Sequence, residues 1–155
     1  MEDDDMSKDT IDAKDFVEKA SAKGIAEIET ARMALEEGGP SVVAFARMMI
    51  ADHTEANDEL KAIARRANLE IADDATLMDQ AKAMILSVRS GESFDEAYIK
   101  NQINAHEQTT NLFERASHSE IPEISAFARQ KLPKLHEHLH MANELKARQD
   151  ASSAH

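Results

Sequence analysis

Long stretches of apolar residues at three- and four-residue spacing, almost free of chain breakers, constrain this sequence more than any other feature. Glycine occurs 4 times and proline 3 times in 155 residues, far too few for a turn-rich β fold. Val17, Ser21, Gly24, Ile28, Ala31 and Leu35 mark one face of a helix over about Thr10–Glu37. Gly38-Gly39-Pro40 ends that helix and opens the next, with glycine past the end and proline in the first turn. The second stripe runs through Val42, Phe45, Met49, His53, Ala56, Leu60, Ile63 and Ala67. So short a break between two long stripes predicts a tight antiparallel αα-hairpin.

Asn68–Asp74 reads as a connector, with Asp73 or Asp74 capping a shorter helix through about Arg89. After Ser90-Gly91, Ser93-Phe94-Asp95-Glu96 has the form of a capping box. The stripe behind it is Phe94, Tyr98, Gln102, Ala105, His106, Thr109, Phe113 and Ala116. Pro122 opens a last helix striped by Ile124, Ala128, Lys131, Leu135, His138, Ala142 and Leu145. Pro133 inside it removes one hydrogen bond and is expected to kink it one turn before the histidines. The reading is all-α: two hairpins forming an antiparallel four-helix bundle, with a short extra helix in the crossover. The domain spans 10–148, with Met1–Asp9 an acidic flexible arm and 149–155 a flexible tail.

Charge and cysteine content narrow the function classes. Lys and Arg number 18 against 30 Asp and Glu, a net of −12. Nucleic acid and anionic membrane surfaces need the opposite sign. Zero cysteines exclude disulfides, thiolate metal sites and a cysteine nucleophile. No stretch reaches the roughly 18 apolar residues of a membrane span, so no membrane insertion is expected. No nucleophile elbow, phosphate loop or glycine-rich oxyanion turn is present.

Polar residues that break the stripes carry the functional signal. At 100° per residue, His53 falls about 40° from Met49, His106 about 40° from Gln102, and His138 about 60° from Leu135. Glu27 follows Phe16 and Ala20 and precedes Ala31 on a flank of the first stripe. One acid and three imidazoles, each from a different long helix, thus face one interior. Counted from the helix ends, His106 and His138 differ by about six residues, roughly 9 Å of axial rise. Neutral imidazole with carboxylate suits zinc, copper(II), iron(II), manganese or nickel, and bundle cores build such sites from facing helices. Zinc leads by ligand type and availability, ahead of copper or iron. Asp52, Asn57, Tyr98 and Gln102 are candidates to orient the rings by hydrogen bonds.

His136, Glu137 and His140 are alternative ligands on the last helix, toward its edge and outer side. Glu137-x-x-His140 resembles the Glu-x-x-His of di-metal bundles, but Ile50 occupies the equivalent place before His53. A di-metal oxidase is therefore disfavoured, and no catalytic residue is assigned. The plain alternative is a structural or protein-interaction module whose histidines are hydrogen-bonded core residues. A homodimer or protein partner is left open. The 8 methionines are read as gap-filling core and surface residues rather than copper ligands.

Several blocks in order carry a family resemblance. They are Phe45-Ala46-x-x-Met49-x-x-Asp52-His53-x-x-x-Asn57-x-x-Leu60, then Phe94-Asp95-x-x-Tyr98-x-x-x-Gln102-x-x-x-His106, then Leu132-Pro133-x-Leu135-x-x-His138-Leu139. Over roughly residues 12–147 the chain resembles the ferritin-like bacterial domain-of-unknown-function family 4142. The resemblance implies a ferritin-like bundle and a periplasmic location in the mature form; no activity comes with it. Met1–Asp5 has neither a basic region nor an apolar run of a signal peptide, which makes a cytoplasmic location the alternative. The expected function is non-catalytic metal binding, in sequestration or stress response.

Overall fold

A computed structural model describes residues 10–153; the acidic arm expected over Met1–Asp9 and the last two residues lie outside the described residues. Five helices account for the described chain: α1 (Ala13–Glu37), α2 (Pro40–Arg66), α3 (Leu77–Ser87), α4 (Gly91–Ala116) and α5 (Pro122–Ser153). No strand occurs among the described residues. The α1–α2 turn forms at Gly38-Gly39 as expected, and the Gly39 N–H donates to the Asp95 carboxylate at 3.2 Å, tying the turn to the start of α4. The long helices form an all-helical bundle. α1 packs on α2 and α4, and α5 packs on α4 and α2, while short α3 rests against α1 and α4.

Three local expectations are corrected. α3 is capped by Thr76, whose hydroxyl accepts from the Asp79 N–H at 3.1 Å, and not by Asp73 or Asp74. Thr76 stands three residues before the donating N–H of Asp79, so its oxygen reaches an orphan donor of the first turn. α4 begins at Gly91, where a φ of +58° suits glycine. Ser93 therefore lies inside the helix and accepts from Arg89 instead of capping. Finally, α5 runs to Ser153, past residue 148 where the domain was expected to end, with Pro133 inside the helix as expected.

The core divides into two apolar clusters. One holds Phe16, Val17, Leu60, Phe113, Ile124, Phe127 and Leu135. Its rings meet edge-on, with Phe16 and Phe113 centroids 5.1 Å apart. The other holds Val42, Phe45, Met49, Phe94, Tyr98, Ala142 and Leu145. Along every long helix the residues between these clusters are polar: Glu27, His53, His106 and His138. Burying each large apolar side chain contributes about 1.5–3 kcal/mol, so apolar packing above and below holds this polar layer in place. α3 differs from the rest, turning Leu77, Met78, Met84 and Ile85 to solvent.

Candidate metal centre

Each imidazole is delivered by a different helix: His53 by α2, His106 by α4 and His138 by α5. All three are buried, at 6%, 0% and 1% exposure. Their ring centroids form a nearly equilateral triangle of 5.5, 5.5 and 5.4 Å. One ring nitrogen from each lies within 4.8 Å of the others. The axial gap of about 9 Å counted between His106 and His138 overstated their separation. Side chains tilt toward the N-terminus of their own helix, so on antiparallel α4 and α5 these two rings lean toward one another.

Hydrogen bonds decide which nitrogens remain for an ion. A carboxylate only accepts, so the 2.7 Å contact from His138 Nε2 to Asp52 Oδ2 puts the proton on Nε2. A backbone carbonyl likewise only accepts, so His106 donates from Nδ1 to the Gln102 oxygen at 2.9 Å. What is left over is His138 Nδ1, His106 Nε2 and His53 Nε2, three buried nitrogens without a hydrogen-bond partner. Burial holds the His53 ring well below the ordinary imidazole value, and His106 and His138 beside it push the same way. His138 is lowered too, by burial, against the opposing pull of its bond to Asp52. Both rings are therefore neutral near pH 7, the form that ligates metals.

A model for a domain of unknown function, DUF4142, matches residues 2–145. The chain belongs to the DUF4142 family. No match to a curated protein or to a solved structure accompanies it.

In this DUF4142 chain the remaining candidates are distributed as follows. Glu27 is buried at 2% and its Oε2 lies 3.6 Å from His106 Nδ1. It thus flanks the protonated edge of that ring and does not join the grouped nitrogens. Burial raises its pKa above the ordinary carboxyl value, while His106 and the Gln102 amide pull it down. Asp52 orients His138 directly, and Gln102 orients His106 through its backbone carbonyl, its amide donating to Thr30 and Asn101 instead. Tyr98 stacks on Phe94 at 5.8 Å, and its hydroxyl has no partner. Burial first, then Glu27, pushes that phenol well above its usual range.

Asn57 holds no ring: it donates to the Ser21 carbonyl at 3.2 Å and lies over Gly24. On α5, His136 and His140 are exposed beside Glu114 and Glu144, at 4.0 and 3.5 Å. Glu137 is exposed as well. None of these three joins the cluster, and no second group of three ligating side chains gathers among the described residues.

Sequence reasoning missed two features of the surroundings. The Phe45 ring stands edge-on to His106 at 6.4 Å, closing one side of the site. On another side, His53 and His138 line a cavity of about 310 Å³. Both features depend on contacts between helices, for which a single stripe carries no signal.

Proposed function

We propose that this protein is a ferritin-like four-helix bundle that binds one transition-metal ion through His53, His106 and His138, without a catalytic step of its own. The observation that carries the reading is the set of three buried imidazoles that bring one ring nitrogen apiece within 4.8 Å of the others, each ring holding a nitrogen without a hydrogen-bond partner. A buried polar atom without a partner costs about 1–3 kcal/mol. Three such atoms gathered at one point are accounted for by a ligand that accepts three lone pairs. Zinc is the first candidate by ligand type, copper the second. Glu27 and Asp52 act on the rings rather than on the ion, in the manner of carboxylates that steer metal-binding histidines. Sequestration of a metal in the periplasm fits this chemistry.

The test is isothermal titration of the chelator-stripped full chain with zinc, copper, nickel, manganese and iron. One site per chain, tighter than micromolar, is expected; micromolar corresponds to about 8 kcal/mol. The double change His53→Ala with His106→Ala should abolish it, and His140→Ala should leave it intact. Absence of any such site, or its survival in the double variant, would overturn the reading. A second reading rests on α3, whose exposed Leu77, Met78, Met84 and Ile85 favour an interaction module. That reading gains if zinc leaves the melting temperature unchanged, because an ion bound only by the native state must raise it.

A further inference from the structure

We infer that the three-histidine site carries a small organic anion as a co-ligand, a carboxylate with an apolar body, seated in the cavity beside His53 and His138. The inference rests on the metal reading above and names what completes that site. Among the described residues no carboxylate oxygen joins the three ring nitrogens. Glu27 and Asp52 both address ring edges that already carry protons. The protein therefore offers three donors. A tetrahedral ion with three protein ligands keeps a fourth position for an outside group, whereas purely structural sites are closed by four.

The cavity supplies the room and the chemistry for that group. Its volume of about 310 Å³ stands at the lower end of small-molecule pockets, which run from about 300 to 1,000 Å³. His53, His138 and Asp52 form one part of its lining, while Leu60, Phe113, Phe127 and Leu135 give apolar wall. The charged part of the lining is Lys23, Lys131 and Lys134, with Glu55 and Glu59. Lys131 is neutralised by Glu59 at 2.6 Å and Lys23 by Asp79 at 3.1 Å. Lys134 has no ion-pair partner among the described residues and is exposed. A divalent ion held by the three imidazoles would be the largest local charge. An anionic head directed at the ion and an apolar body against the phenylalanine and leucine wall satisfy both parts of the lining.

The experiment uses the full chain loaded with cobalt(II), whose visible spectrum reports a change of ligand, titrated with hexanoate and separately with hexanol. Hexanoate should shift the spectrum saturably, and hexanol should not. Ala56→Leu, which narrows the cavity, should retain cobalt and weaken hexanoate at least tenfold. Lys134→Glu, a surface change, should weaken hexanoate several-fold at low salt. Cobalt bound with no response to hexanoate, or an equal response to hexanol, overturns the co-ligand inference alone. Equal hexanoate affinity in the Ala56→Leu protein also overturns it. Failure of the wild-type chain to take up cobalt overturns the metal reading itself, and the co-ligand with it. Should Ala56→Leu fail to fold, the hexanoate-against-hexanol comparison on the wild-type chain still decides.

Discussion

Asp52 is the residue that separates a steered imidazole from one held by packing. Its Oδ2 accepts a hydrogen bond from the His138 Nε2–H across the α2–α5 interface at 2.7 Å, fixing the tautomer that leaves Nδ1 free. Carboxylates in this role typically contribute 10–100-fold to metal affinity. Asp52→Asn should therefore raise the zinc Kd by about 10–100-fold in calorimetric titration, with the fold intact because Asp52 lies near the surface, its side chain 23% exposed. An unchanged Kd would show that the ring is oriented by its neighbours alone. Neither this pairing nor the place of Glu27 is legible in the sequence. Residues 52 and 138 sit on separate helices, and no stripe records which edge of a ring a distant carboxylate will meet. The three histidines themselves are legible, because a 100° step per residue puts each on the buried face of its own helix.

At the scale of the element, α1 and α2 approach closely at Gly24. A Cβ built there would fall 2.3 Å from the Asn57 Oδ1, inside any real contact. Asn57 in turn donates to the Ser21 carbonyl, so glycine on α1 and asparagine on α2 form one pair. Gly24→Ala gains about 1 kcal/mol of helix propensity but displaces the amide and forfeits a bond of about 0.5–1.5 kcal/mol. Alone it should shift stability by less than about 1 kcal/mol. In an Asn57→Ala background the same change should stabilise by about 1 kcal/mol. Chemical denaturation of the four proteins checks this, and strict additivity would show that the two positions are independent. The helices were readable from spacing and from Gly38-Gly39-Pro40, since periodicity and breakers are local. The cap at Thr76 and the start at Gly91 were not, because several polar residues near each end compete for the role and only the folded geometry chooses among them.

At the scale of the whole molecule, the buried imidazoles couple stability to pH. His53 and His138 are held below the ordinary imidazole value of 6.5 by burial. As pH falls through 6.5, the unfolded chain takes up protons that the folded chain refuses, so stability present above that pH is lost on acidification. Glu27, raised above 4.5 by burial, has the opposite slope: it costs stability as pH rises from 4.5 through its folded value. The metal-free protein should melt at a lower temperature at pH 5.5 than at pH 7.5, and His53→Ala should flatten that dependence. Equal slopes in the two proteins would remove His53 from the account. The ligand set is also divided unevenly: His53 belongs to the α1–α2 hairpin, while His106 and His138 belong to the α4–α5 pair. Each pair is joined by a short local turn, and the nitrogens converge only where the two pairs pack together. An ion seated among them would be a clasp between the two pairs, and its binding would resist their separation.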